Sequence, residues 1–239
     1  MVNQLIQDNA FKADFYSLLL ENRRKATPSQ VNNAWAGACK AMFDLERDAH
    51  QRRVAFDLES MKSVVLQSAE VGLSLAKNDK ESYIGMSYES LGEYRLGFAY
   101  RGLRRMMLSN PEVKMICSAV IFEGDKFEWR GNSEKPLIVS DSRGSVVIGA
   151  FGWLAQKDGD IYSVLLTEED LYNAETRDIQ RAVAIYGDEN QSIYRSPWRK
   201  RMFEIEAIKA LYRHCSDVLD LTTDFGDVFA NASTVGQLD

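Results

Sequence analysis

Val146-Val147-Ile148-Gly149-Ala150-Phe151-Gly152-Trp153-Leu154-Ala155-Gln156 runs through Lys157-Asp158-Gly159-Asp160 into Ile161-Tyr162-Ser163-Val164-Leu165-Leu166. Residues 146–151 show no polar alternation, which suits a central strand covered on both faces. Asp158-Gly159-Asp160 supplies turn chemistry, so the two runs read as successive strands. Upstream, Met115 to Phe122 turns at Gly124-Asp125 into Lys126 to Arg130, and the whole stretch from Val113 reads as an antiparallel β-meander. Gly131 to Gly144 reads as a loop, with Arg130, Lys135 and Arg143 on or beside it.

Downstream, Thr167-Glu168-Glu169-Asp170 is an acidic helix start leading into residues 168–184. Gly187 to Ser192 is polar and expected to be mobile. It delivers the chain to Ser196-Pro197-Trp198-Arg199-Lys200-Arg201-Met202, which opens a helix reaching Cys215. Ser196 suits the N-cap and Pro197 the first helical position. At 100° per residue Met202, Ile205, Ile208, Tyr212 and Cys215 form one apolar arc. Arg199, Lys209 and Arg213 lie along its flank, with Glu206 among them. Helices favour acids at their start, yet this one opens with three cations. An anion outside the helix would account for that; a solvated basic face is the plainer reading.

Before the meander the spacing is helical over residues 1–25, from Thr27-Pro28-Ser29 into a mixed-charge region at 44–59, and over about 60–76, closing on Gly72-Leu73-Ser74-Leu75. Ser82 to Tyr88 and Glu93 to Tyr100 alternate like two strands of a hairpin, and 101–108 reads as a short helix. Residues 95–105 hold four arginines and no acid. Arg101, Arg104 and Arg105 share a face there, where like charges repel by a few tenths of a kcal/mol per pair, so an anion would relieve the helix. The fold class is therefore α+β: an antiparallel meander with a β-hairpin and packed helices forming a basic groove. Residues 1–62 are expected to be a helical coat or oligomerisation region, 63–215 the core and 216–239 a short acidic tail.

The net charge of −6 announces no global basic field, but it is uneven. The tail carries five aspartates and no Lys or Arg, which leaves the body close to neutral. Cys39, Cys117 and Cys215 form no close pair, no signal peptide is apparent and no apolar run could span a bilayer, so a cytoplasmic protein is expected. There is no P-loop, and neither His50 nor His214 sits at metal-ligand spacing, so no metal or cofactor is expected. Glu123, Asp125 and Glu128 with Lys126 could suggest a metal-dependent nuclease, but they cluster at a turn where Gly-Asp is ordinary chemistry. What remains is cationic and aromatic. Tyr94, Arg95, Tyr100, Arg101, Arg104 and Arg105 form one group. Tyr194, Arg195, Trp198, Arg199, Lys200, Arg201, Lys209 and Arg213 form the other, and Arg143 lies on the loop. Cations on phosphates with rings near the bases are what sequence-independent strand binding requires. Trp198 and Tyr212 read better as core, Trp198 as the anchor that seats its helix.

These segments resemble the RecT/Red-beta family of phage-type single-strand annealing proteins. Ser196-Pro197-Trp198 before a basic amphipathic helix is similar to its signature. Gly72-Leu73, Ala99-Tyr100-Arg101-Gly102-Leu103, Val120 to Glu128, Gly149-Ala150-Phe151 and Thr167-Glu168-Glu169 match in the same order, over roughly residues 64–215. Ala99 stands where the family has Gly, Ile205 where Met is frequent, and Lys209-Ala210 where Lys-Thr is frequent; the hairpin before Tyr100 also differs. The resemblance implies an ATP-independent recombinase, not an enzyme of bond chemistry. It would bind single-stranded DNA, pair it with a complementary strand and hold the annealed duplex on a homo-oligomer, ring or helical filament. It implies a phage, prophage or mobile-element protein in a bacterial host, with a 5′–3′ exonuclease and a host single-strand-binding protein as partners. The expected groove has one wall at 94–105 and the other at 198–213. The rivals are a non-annealing strand-binding or scaffold protein and the nuclease.

Overall fold

The computed structural model describes residues 1–23, 25–86, 92–139 and 146–215. Arg143, the hairpin turn at 87–91 and the acidic tail from residue 216 lie outside them. The described residues divide into two compact units, 1–102 and 103–215. The helices of 1–62 therefore share a unit with the strands that follow them, and the boundary expected at 62/63 falls inside that unit.

The first unit contains α1 (Val2–Gln7), α2 (Asn9–Asn22), α3 (Pro28–Arg52), α4 (Leu58–Glu70), β1 (Ser82–Met86) and β2 (Tyr94–Phe98). The single helix expected over 1–25 is broken at Asp8, whose carboxylate accepts the Ala10 and Phe11 N–H groups and so starts a new helix. Thr27 and Gln30 make a capping box that starts α3 where the Thr-Pro-Ser reading placed it. Phe11 and Phe15 pack on Trp35 with ring centroids 5.6 and 5.3 Å apart. Met61, Val64 and Val65 of α4 are buried, as are Tyr94, Leu96 and Phe98 of β2. The Tyr94 N–H donates to the Ser60 hydroxyl and ties β2 to α4. β1 and β2 pair antiparallel, Ser82 opposite Phe98 and Met86 opposite Tyr94.

α5 (Tyr100–Ser109) crosses the unit boundary. The second unit then holds β3 (Val113–Phe122), β4 (Lys126–Glu128), β5 (Leu137–Val139), β6 (Val147–Gln156), β7 (Ile161–Thr167), α6 (Glu168–Tyr186) and α7 (Arg199–Cys215). Its main sheet is antiparallel in the order β3-β6-β7, with β6 central as its unbroken apolar run implies. The meander differs in one respect. β4 does not continue that sheet but pairs with β5, inside the stretch read as a loop, Lys126 opposite Val139. Residues 189–191 and 193–195 form 3-10 turns where a mobile connection was expected, and the Ser192 hydroxyl donates to Asp178 at 2.6 Å.

Alternation along β6 sends its residues to two cores. Ala150 joins Val120, Leu171, Tyr194, Phe203 and Ala207 on the helical side. Phe151 and Trp153 join Ile121 on the other, where Phe127 and Ile138 of the small hairpin pack. A Cβ on Gly152 would stand 3.0 Å from the Ala207 carbonyl oxygen, so the glycine lets α7 lie directly on the strand. α7 buries Phe203, Ile205, Ala207, Ile208, Leu211, Tyr212 and Cys215. Full burial of a side chain such as Phe203 contributes about 1.5–3 kcal/mol. No helix among the described residues is long and apolar enough to cross a membrane.

Candidate nucleic-acid interface

In the first unit, two of the segments singled out in the sequence meet at a residue that was not. Glu81 is 3% exposed. One carboxylate oxygen accepts the Ser74 N–H at 2.9 Å, in the Gly72-Leu73-Ser74-Leu75 segment, and an Arg23 N–H at 3.0 Å. Its backbone carbonyl accepts the Ala99 N–H at 3.0 Å. A Cβ on Gly102 would lie 2.0 Å from that same carbonyl oxygen and 3.1 Å from Leu73 Cδ1. Only hydrogen fits there. The glycine of Tyr100-Arg101-Gly102-Leu103 thus seats the start of α5 against Glu81, and Glu81 in turn holds the end of α2 and the Ser74 backbone. A buried acid between a basic helix end and a Gly-Leu turn was the available signal, though nothing local marks its partners.

From that seat Arg101 projects as an exposed side chain, with no ion pair among the described residues. Arg105 is exposed and Arg104 half-buried, while Leu103, Met106 and Met107 are buried. The three arginines thus share the outer face of α5, as their spacing predicts. Arg95 and Tyr100 are half-buried. Tyr94 departs from expectation: it is 3% exposed, its ring centroid 5.2 Å from that of Phe56, and its hydroxyl finds no partner among the described residues. Burial, with Asp48, Asp57 and Glu46 adding to it, pushes its pKa up to about 12. Tyr94 is core. Its alternation with Leu96 and Phe98, opposite Arg95, carried that information in the sequence.

In the second unit the cations at the start of α7 are largely answered from within. Arg199 clasps Glu175 of α6, its Nη2 donating at 2.7 Å and its Nε at 3.2 Å to both oxygens. It also lies 4.7 Å from the centroid of the Phe203 ring. Glu175 is 8% exposed, so this arginine answers a buried acid of the same chain. The anion expected outside the helix is, for Arg199, a carboxylate of the same chain. Arg201 pairs with Glu204, Lys209 with Glu206 at 2.8 Å, and Arg195 with Glu189 at 3.6 Å. Lys200 stands 4.9 Å above the Phe122 ring. Arg195, Lys200, Arg201 and Arg213 are exposed and Lys209 half-buried. The Arg195–Glu189 pair, exposed on both sides, is worth about 0–1 kcal/mol and is screened by salt, so a phosphate can displace its carboxylate. Glu204 and Glu206 are mostly buried and hold their cations more firmly.

Trp198 is the second correction. Expected to seat α7, it is 61% exposed. Ser196 and Pro197 form a turn before the helix rather than its first residues, which leaves Trp198 ahead of the buried face that Phe203 begins. Tyr194 and Phe203, with centroids 5.5 Å apart, do the seating instead. Burial pushes the Tyr194 hydroxyl well above its ordinary pKa, and pushes Tyr212 and the Cys215 thiol up to about 12.

Two of the three acids at the Gly124-Asp125 turn, Asp125 and Glu128, have partners of their own. Asp125 Oδ2 accepts the Phe122 N–H at 2.9 Å, and Glu128 takes Arg130 at 3.1 and 3.3 Å. Of the expected wall at 94–105, residues 94–102 lie in the first unit, while 103–105, with Arg104 and Arg105, belong to the second unit, as does the other expected wall at 198–213. The chain was compared with protein-family models and with curated proteins, and neither comparison found a match.

Proposed function

We propose that this protein is an ATP-independent single-strand annealing protein of the RecT/Red-beta type. It binds single-stranded DNA without sequence preference, pairs it with a complementary strand and holds the duplex on a homo-oligomer. The observation that supports this most is the outer face of α5. Four arginines and no acid lie within 95–105, and Arg101 stands exposed on a helix start fixed by the Glu81 and Gly102 packing. Phosphate neutralisation lets two strands approach, and contacts confined to the backbone leave base edges free to select a partner. Arg101, Arg104 and Arg105, with Arg95 and Tyr100 beside them, serve the strand from α5. Arg195, Lys200, Arg201, Lys209 and Arg213, on α7 and the turn before it, are a second and separate set of candidate phosphate contacts. Arg199 is assigned to Glu175 instead. The reading places the protein in the cytoplasm of a bacterial host, encoded by a phage, prophage or mobile element, with an exonuclease and a host single-strand-binding protein as partners.

The test is the rate at which two complementary oligonucleotides pair, followed by fluorescence without ATP, with and without Mg²⁺. Acceleration over the uncatalysed rate is expected. Binding without acceleration would make the protein a strand-binding scaffold. Strand degradation that needs Mg²⁺ and is lost in Asp125→Ala would make it a nuclease.

A further inference from the structure

We propose, resting on the reading that this chain binds single-stranded DNA, that Trp198 is a platform on which a nucleobase stacks. Trp35 and Trp153 are 8% and 6% exposed and bound into cores, whereas the Trp198 indole is 61% exposed. Its backbone is nonetheless fixed. The Ser196 hydroxyl accepts the Trp198 N–H at 3.2 Å while donating to the Ile193 carbonyl at 2.6 Å. The Trp198 carbonyl accepts the Met202 N–H at 3.0 Å. A rigid exposed ring binds at little conformational cost.

Its neighbours identify the occupant. Arg195, Pro197, Arg199, Lys200 and Arg201 flank it in the sequence and are all exposed. The indole therefore belongs to a predominantly cationic stretch of exposed chain, with Ile193 the exposed apolar side chain close by in sequence. A protein partner favours an apolar interface centre depleted of lysine. A strand that alternates flat aromatic bases with phosphates matches both the ring and its cations. Arg195 can exchange its exposed carboxylate partner for phosphate. Stacking occupies the face of a base and leaves its pairing edge open, which is the condition annealing sets. The aromatic contact expected from Tyr94, which is buried, falls to Trp198.

The experiment measures binding of an oligothymidylate, and of an abasic strand of equal length, to wild type, Trp198→Ala and Trp198→Phe. Trp198→Ala should bind oligothymidylate about 5- to 150-fold more weakly, with Trp198→Phe retaining most of the affinity. The salt slope should not change, because a ring releases no counterions. On the abasic strand the three proteins should bind alike. Thermal midpoints should coincide, since the ring is exposed. Equal affinity of Trp198→Ala and wild type for oligothymidylate overturns the proposal while leaving DNA binding itself standing. So does an equal loss on both strands accompanied by a smaller sedimenting mass, which would assign the ring to a second copy of the chain. If wild type binds neither strand, the underlying reading fails and this inference fails with it.

Discussion

Each unit hides one glutamate, and each glutamate holds an arginine. In the first unit Glu81 takes Arg23 from the end of α2, both side chains at most 12% exposed. In the second Glu175 takes Arg199, the first residue of α7, whose side chain is 47% exposed. The chemistry is the same and the consequence differs. Glu81 draws its arginine from α2 and supports the basic start of α5 through its backbone, so Arg101 stays outward. Glu175 draws its arginine from the basic helix itself and spends it. A run of cations in a sequence therefore shows which helix is basic. It does not show which cations remain for a ligand, because the acids that answer them sit on other elements.

The largest expected effect comes from Glu81→Ala, which leaves Arg23 without its buried carboxylate. Denaturant unfolding should show a loss of about 3–5 kcal/mol. A loss below 1 kcal/mol would mean that Glu81 is no keystone and that the two glutamates do not differ as described. Gly102→Ala comes next. Its Cβ must displace backbone, at about 1–3 kcal/mol by the usual cost of overpacking. It should lower strand affinity as well, because the helix start carrying Arg101 moves. Unchanged stability and affinity would remove the α5 side of the comparison.

The sharpest contrast sets Arg101→Ala against Arg199→Ala. The first should reduce the salt slope of single-strand binding by about 0.7 with little change in stability. The second should leave the slope intact and destabilise by about 1–3 kcal/mol, since Glu175 then lacks its partner. Equal slope changes in the two variants would break the distinction.

The last effect is alkaline. Tyr94 and Tyr212 rise from 10.0 to about 12 and Cys215 from 9.0 to about 12, with burial the leading cause. The folded state thus keeps protons that the unfolded chain releases. Stability from these groups is fully present below pH 9 and should decline as pH climbs from there through 12. A flat unfolding free energy across that range would contradict their burial.

The order of helices and strands was legible because the 3.6 and 2.0 periods are local. β6 declared itself central through its apolar run, and Thr27 and Thr167 capped the helices their surroundings predicted. The β4–β5 pairing was not legible, because a three-residue strand carries little pattern and its partner follows a further turn. The Arg199–Glu175 and Arg23–Glu81 pairs span 24 and 58 residues. No local period encodes such distances. Trp198 was misjudged because its type suggested core, while a helix that starts at Arg199 rather than Pro197 decided its exposure.

The Arg23–Glu81 pair also bears on synthesis. α2 leaves the ribosome long before the carboxylate that Arg23 requires, and the Glu81 carbonyl waits longer still for Ala99 and Gly102. At roughly 5–20 residues per second, several seconds of translation separate the two halves of this knot. The helices that precede it emerge with an unsatisfied arginine and an open apolar face. Any holding chaperone that meets the nascent chain would engage it in that interval, and release should follow the emergence of α5.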